Sequence, residues 1–512
     1  MPITKHSLSA ILVILAFVLL ASCSSTRSAF DPGRKYAPEK LKKDYALFRN
    51  ILEESHPGLY WYTPKDSMDV YFDQGYALLK DSMTEPAFRS VLSYVLAKVR
   101  CGHTSTRYSR QYTRWLDTAR LPSFPISIKE LEQDTVLLNN TLQRSNITLK
   151  RGTRLTRLNG EPLPQLLDTL KSYIPNDGYN ESYLRQALSN RGALGGWLRL
   201  VKGWQKEYSL GYIDSLGMEQ ETRFRLVEPP KPADTTKKPA IEVLRKPFRK
   251  KEVKEERLLS ARNIQFDTAL STAYMTVNTF NNGYSLPAFF KESFHALRKL
   301  GIRHLVIDLR SNGGGNVSNS NILTRYILDK PFKVADSLYA VSKRSKYGDY
   351  VQYNSITGIF FSFITRKRKD GNYHFGYFER HHFKPKRNGH YNGNVYVLIG
   401  PNSFSATAIF AGTVKGQPNV LLIGEETGGA AYGNNAWFIP NVTLPETGVR
   451  FRLPKFRLVI NKDMVKDGRG VLPDVEVKPT TQSVRENIDP KVEYLRKLIL
   501  NRSQAPVNRG SN

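Results

Sequence analysis

Apolar residues recur at three- and four-residue spacing from about Tyr36 to Arg100, the period of amphipathic helices. In the last of these predicted helices Phe88, Val91, Leu92, Val95, Leu96 and Val99 share a face; Thr84-Glu85-Pro86 is the start signal and Gly102 the predicted stop. His103 is thereby placed just past a helix end, in Cys101-Gly102-His103-Thr104-Ser105. From about Leu121 to Ser209 short apolar runs alternate with turns, and the segment from Lys150 to Gly160 precedes a helical stretch near Leu163 to Leu170. Beyond residue 260 strand and helix patterns alternate. A helix from Leu286 to Leu300, capped by Gly301, leads to a strand at 304–309 and the turn Arg310-Ser311-Asn312-Gly313-Gly314-Gly315. A second unit repeats the order: strand 395–399, turn Gly400-Pro401-Asn402, helix 404–414, strand 420–423. Between these units, residues 331–394 are rich in aromatics and bases and read as a β-hairpin insertion with no assigned chemistry.

This pattern predicts a mixed α+β, multidomain chain with an α/β core. Its predicted parts are a signal segment at 1–22, a tether at 23–35, a helical region carrying the histidine at 36–117, a small domain at 118–226, a basic Pro- and Lys-rich linker at 227–260, the core at 261–480 and a C-terminal helix and tail at 481–512. The strand, turn and helix from Lys150 to Leu170 resemble a PDZ domain. That resemblance implies capture of an extended peptide at a sheet edge; a small mixed domain without a ligand is the alternative. At 512 residues, with 40% hydrophobic and 24% charged positions, the chain is ordinary for a globular protein of several domains.

Net charge changes the picture only briefly. Lys plus Arg at 76 against Asp plus Glu at 46 leaves +30, which raises nucleic acid or an anionic membrane as partner. The N-terminus favours the membrane. Residues 1–23 read as a short n-region with Lys5, an apolar run from about Leu8 to Leu20, and small residues before a cysteine, which is a secretory signal. Leu20-Ala21-Ser22-Cys23 resembles the bacterial lipobox, which implies lipidation of Cys23 and a protein anchored to a membrane in the cell envelope. The run is shorter than the roughly 20 residues of a spanning helix. Export removes the chain from the genome, so nucleic acid is not expected as a partner. With Cys23 lipidated, Cys101 has no intramolecular disulfide partner and reads as a buried thiol.

Candidate chemistry gathers at three places. Ser405 lies where a strand turns into a helix, so unpaired N–H groups and the positive helix end surround a hydroxyl able to attack an acyl carbon; Ser403 or Ser405 can equally be an N-cap. Successive glycines at 313–315 let backbone N–H groups approach a ligand, but no Lys-Ser or Lys-Thr follows as a phosphate loop requires. His103 can serve as the base a serine needs, with His56 its main competitor. No Cys/His cluster has zinc-ligand spacing, and no metal or organic cofactor is expected.

Four ordered motifs resemble the carboxy-terminal processing (tail-specific) serine peptidase family: Asp308-Leu309-Arg310-Ser311-Asn312-Gly313-Gly314-Gly315, Phe404-Ser405-Ala406, Gly424-Glu425-Glu426-Thr427-Gly428-Gly429 and Gly470-Val471-Leu472-Pro473-Asp474. The similarity covers about residues 265–480. One branch of that family uses a lysine base, and Ala430 stands where that lysine would be. The other branch, similar to the tricorn protease core and to interphotoreceptor retinoid-binding protein, takes a histidine from an N-terminal helical region, a position matched by His103. The resemblance implies Ser405 as nucleophile, His103 as base, and Ala406 N–H with a Gly313 or Gly314 N–H as oxyanion donors. Asp467 falls near the position of the acid that orients the histidine; Thr104, Ser105, Glu425 and Glu426 are the other candidates.

The resemblance therefore implies an exported, lipid-anchored serine endopeptidase acting on envelope polypeptides. The alternative is a catalytically silent peptide- or lipid-binding lipoprotein on the same fold, suggested by the retinoid-binding relative and by Gly102 and Ala408 at positions where relatives carry other residues.

Overall fold

The α/β alternation after residue 260 folds into a six-stranded sheet in the computed structural model, which describes residues 30–140, 149–229, 250–352, 361 and 363–504. Its strand order is Arg262–Asp267, Thr272–Val277, His304–Asp308, Asn394–Ile399, Val420–Gly424, Val475–Glu476. The first pair is antiparallel and all the rest are parallel. Strands covered on both faces need apolar residues at every position. Leu305, Ile307, Val395, Val397 and Ile399 face the helices Leu286–Lys299, Val317–Ile327 and Ala406–Val414. Val306, Tyr396 and Leu398 face Leu495 and Ile499 of helix Pro490–Gln504. In register, Asp308 pairs with Leu398, so the glycine turn and the segment leading to Ser405 leave the sheet side by side at its carboxyl edge.

The N-terminal helices Pro38–Ser55, Lys65–Ala77 and Glu85–Lys98 do not form a separate body. Leu41, Phe48, Leu92 and Val95 share a core with Val442, Leu444, Phe451 and Leu453 from the far end of the sequence. Asp44 fastens the two, its carboxylate accepting from the N–H groups of Glu446 and Thr447 and from the Thr447 hydroxyl at 2.7–3.0 Å. The third helix starts as expected, with Thr84 Oγ1 accepting from Ala87 N–H, but ends sooner. The chain reverses at Arg100, in the left-handed region at φ 55°, and not at Gly102. Thr106–Arg107 then adds to strand Arg450–Arg452, which pairs with Asn441–Thr443.

Residues from Ile126 to Phe224 have their own core, including Leu163, Leu166 and Leu170 of helix Leu163–Lys171. A four-stranded sheet runs Glu161–Pro162, Leu155–Leu158, Glu207–Ile213, Glu219–Arg225, beside a hairpin of Ile126–Glu130 with Thr135–Asn140. The insertion departs from its simple reading. A hairpin of Arg366–Lys367 and Tyr373–His374 is present, but Ser337–Ala340 joins it to Phe456–Val459 and Gly433–Ala436 in one five-stranded sheet. The strand partners come from well outside the segment, so no local pattern announces them. Part of the predicted linker is helix, Lys250–Ala261. The signal segment, Cys23, the tether up to residue 29 and residues 230–249 lie outside the described residues. Among the described residues no helix is long and apolar enough to cross a membrane.

Candidate active site

Ser405 sits at the N-cap of helix Ala406–Val414 with φ 56° and ψ −122°. A non-glycine residue there carries strain of about 1–3 kcal/mol, retained where surrounding structure imposes it. Its surroundings do impose it: a Cβ at Gly429 would stand 2.9 Å from Ser405 N, and one at Gly314 would stand 2.7 Å from Ser405 Cβ. Ser405 makes no side-chain cap, so its hydroxyl is not consumed by the helix. Ser403 is the structural serine of the pair. It is fully buried, accepts from Gly400 N–H and donates to Leu309 O at 2.9 Å, tying the two neighbouring loops together.

The glycine turn is held by Asn312, which is also fully buried. Its Nδ2 donates to Val277 O, its carbonyl oxygen receives Phe404 N–H, and its Oδ1 accepts Gly314 N–H at 2.9 Å. This separates the two glycines proposed from sequence. Gly314 N–H is spent on Asn312, whereas Gly313 N–H has no protein acceptor among the described residues. Ala406 N–H, the first of its helix, is likewise open. Gly314 contributes space instead: at φ 95°, a side chain on it would lie 2.6 Å from Phe404 O and 3.0 Å from Ala406 N.

His103 lines the same cleft as Ser405, with Gly102, Gly313, Gly314, Tyr183 and Arg452. Its ring packs 4.8 Å from that of Phe404, the residue before Ser405. Gly102 allows this approach, because a Cβ there would meet Phe404 Cζ at 2.6 Å. His103 is 5% exposed, and neither ring nitrogen has a hydrogen-bond partner among the described residues. Nδ1 lies 3.8 Å from Asp177 Oδ1. Burial pulls the imidazole pKa down, but contact with Asp177 and Cys101 outweighs it and holds His103 above the ordinary value of 6.5. Burial pushes the Cys101 thiol up, yet its contacts with His103 and His56 bring it below its ordinary value. His56, the competing base, is committed elsewhere: Nδ1 accepts Gly58 N–H, which leaves Nε2 to donate to Thr104 Oγ1 at 2.8 Å.

Asp177 was not visible in the sequence, where Asn176-Asp177-Gly178 reads only as a turn. It is 3% exposed and its Oδ1 accepts Gly102 N–H at 2.8 Å. Gly178 N–H donates to Arg100 O, and Tyr179 N–H to Gly468 O, so this turn is clamped between the histidine loop and the segment at 468–470. Asp467, the acid matched by resemblance, is exposed, accepts the N–H of Arg469 and lines a different pocket, beside Met464 and Val465. Glu425 pairs with Lys491 at 2.6 Å, and Glu426 with Arg469 and Gly470 N–H at 2.7–2.9 Å. Thr104 holds His56, and Ser105 O receives Arg452 N–H. Of the candidates for orienting His103, none has the position that Asp177 has. Ala430 is fully buried, and among the described residues no lysine lines the cleft.

Residues 271–477 match the model of Peptidase family S41. The chain carries a Peptidase family S41 domain over that segment. It is a serine-type peptidase with the mixed α/β fold of S41 enzymes. Over nearly its whole length it is similar to mature CPAF, with 15% identity, 93% of this chain and 99% of that chain covered and a TM-score of 0.61. Mature CPAF complexed with lactacystin gives 15% identity, coverage of 91% and 98%, and a TM-score of 0.63. At that identity these likenesses establish the shared fold and nothing finer. No curated protein matches the sequence significantly.

Proposed function

We propose that this S41 peptidase is an exported, lipid-anchored endopeptidase that cuts envelope polypeptides through an acyl-enzyme on Ser405. One observation carries the site assignment: a serine at positive φ on a helix N-terminus shares a cleft with a buried, unpartnered histidine and two open backbone N–H groups. Ser405 Oγ attacks the peptide carbonyl while His103 Nε2 takes its proton. The Ala406 and Gly313 N–H groups receive the developing oxyanion, usually the largest single contribution to such catalysis. His103 then protonates the leaving amine, and water releases the acyl group by the reverse steps. His103 Nε2 has no partner among the described residues, so the Ser405–His103 hydrogen bond forms when substrate binds, as catalytic contacts often tighten then. Support for the anchor is the apolar run ending in Leu20-Ala21-Ser22-Cys23, and support for peptide capture is the strand-turn-helix unit around Leu155–Lys171.

The test is cleavage of a diverse peptide pool, read by mass spectrometry, by the full-length protein and its Ser405→Ala variant. Products from the former alone support the mechanism. Equal products from both, or none from either while peptide is retained, overturn it in favour of a contaminant or of a binding protein. An acylated Cys23 in the mature protein supports the anchor, and an unprocessed N-terminus refutes it.

A further inference from the structure

The sulfur of Cys101, a ring nitrogen of His103 and a carboxylate oxygen of Asp177 all lie within 4.8 Å of one another, and all three residues are buried. Most of the polar atoms there are not otherwise used; Asp177 Oδ1 accepts Gly102 N–H. Among the described residues, both His103 nitrogens and Asp177 Oδ2 have no hydrogen-bond partner, although leaving buried polar atoms unpaired is costly. We propose that Cys101, His103 and Asp177 form an inhibitory site for a thiophilic divalent cation, of which zinc is the type.

The donor set selects the ion. Thiolate and imidazole suit zinc or cobalt, whereas calcium and magnesium require oxygen ligands. Two anionic ligands and one neutral one balance a dication, so the loaded site is neutral where an unbalanced charge would be expensive. Three protein ligands leave a fourth position for water, and His103 opens onto the cleft, which gives the ion an entry path. Asp177 is already fixed by Gly102 N–H, and His56 is excluded as a ligand by its bonds to Thr104 and Gly58. Zinc-ligand distances of about 2.0–2.3 Å require the three donors, now within 4.8 Å of one another, to draw inward on binding.

Occupation stops turnover by a defined route. With the cation on Nδ1, the nitrogen nearer Asp177, the proton of the neutral imidazole resides on Nε2, which then cannot accept the Ser405 proton. This consequence rests on His103 being the base; cation binding does not.

The test uses chelator-stripped full-length protein titrated with Co²⁺. A thiolate-to-cobalt charge-transfer band in the near ultraviolet is expected, saturating at one equivalent, displaced by one equivalent of Zn²⁺ and lost in Cys101→Ser. Asp177→Ala should weaken cobalt binding about 10-fold or more. No band in the wild type, or the same band in Cys101→Ser, overturns the site. Should Cys101→Ser fail to fold, X-ray absorption of the zinc-loaded wild type decides: one sulfur near 2.3 Å supports the site, and nitrogen and oxygen scatterers alone refute it. The band is read without substrate, so failure of the peptidase mechanism leaves it standing. Loss of peptide cleavage at one equivalent of zinc, restored by chelator, supports the inhibitory role; unimpaired cleavage with zinc bound overturns that role.

Discussion

The carboxylate of Asp177 stands 3.8 Å from His103 Nδ1 while accepting the N–H of Gly102, a residue 75 positions earlier in the chain. One oxygen thereby bonds the loop that carries the histidine and faces the ring nitrogen. A charged acid at Nδ1 favours the tautomer whose Nε2 is free to accept a proton, and stabilises the imidazolium once it forms. On the mechanism proposed above, Asp177 is the positioning residue for His103, and Asp467, exposed and bonded to Arg469 N–H, lies away from the ring.

Asp177→Asn is isosteric and keeps the bond to Gly102 but removes the charge. We expect kcat/KM for peptide cleavage to fall by about 10²–10⁴-fold, the scale of losing the orienting acid in other serine peptidases, with little change in thermal stability. Asp467→Ala is expected to stay within a few-fold of wild type. Steady-state kinetics on both variants decide between the acids: a collapse confined to Asp467→Ala would return the role to Asp467.

The same contact sets the pH profile. His103 must be neutral to take a proton, and its folded pKa is raised above 6.5 by Asp177 and Cys101 against the opposing effect of burial. Activity of the metal-free enzyme should therefore rise with pH through a midpoint above the ordinary imidazole value. In Asp177→Asn that midpoint should move toward lower pH, because the charge favouring the imidazolium is gone. Measurement of kcat/KM against pH in the presence of chelator tests both statements, and a wild-type midpoint below 6.5 would contradict them.

What the chain announced in advance follows from how local each signal is. Ser405, Ala406 and the glycine turn lie on two adjacent strand-to-helix units, and hydrophobic runs such as His304–Asp308 and Asn394–Ile399 place them at one sheet edge. His103 was legible as a residue after a helix, although the reversal belongs to Arg100 and Gly102 serves to admit the Phe404 ring. Asp177 was hidden because it acts through a turn in another folding unit, brought in by the contact of Gly178 with Arg100. The strand Ser337–Ala340 was hidden for the same reason, since its partner is Phe456–Val459. The difference between Gly313 and Gly314 depends on the side chain of Asn312, which no spacing rule encodes.

That difference is measurable. Gly314→Ala adds a methyl group at φ 95° against Phe404 O and Ser405 Cβ, so we expect loss of nearly all activity and destabilisation of about 1–3 kcal/mol. Gly313 has nothing within 4 Å of an added Cβ, and alanine there keeps the N–H. Gly313→Ala should therefore fold normally and retain substantial kcat. Kinetics and thermal melts of both variants check the assignment; equal loss in the two would show that the turn acts through its flexibility and not through the space at Gly314.

Lys455 offers a test of the packing that joins the N-terminal helices to the rest. It is 4% exposed, and burial depresses its pKa from 10.5 to about 8, with Glu54 only partly opposing. Its amine is 3.4 Å from Ser342 Oγ. Because the folded pKa lies below the unfolded one, the unfolded chain binds more protons between about pH 8 and 10.5, and stability rises with pH across that window. Below pH 8 the full penalty is present, on the order of 3 kcal/mol at about 1.4 kcal/mol per pH unit. Lys455→Met retains the apolar stem without the charge, so it should raise the melting temperature by a few degrees at pH 7. The advantage should shrink as pH climbs from 8 toward 10.5. Thermal unfolding of the two proteins across this range measures the effect; a gain that is absent at pH 7 or independent of pH would mean that water or Glu54 compensates the buried amine.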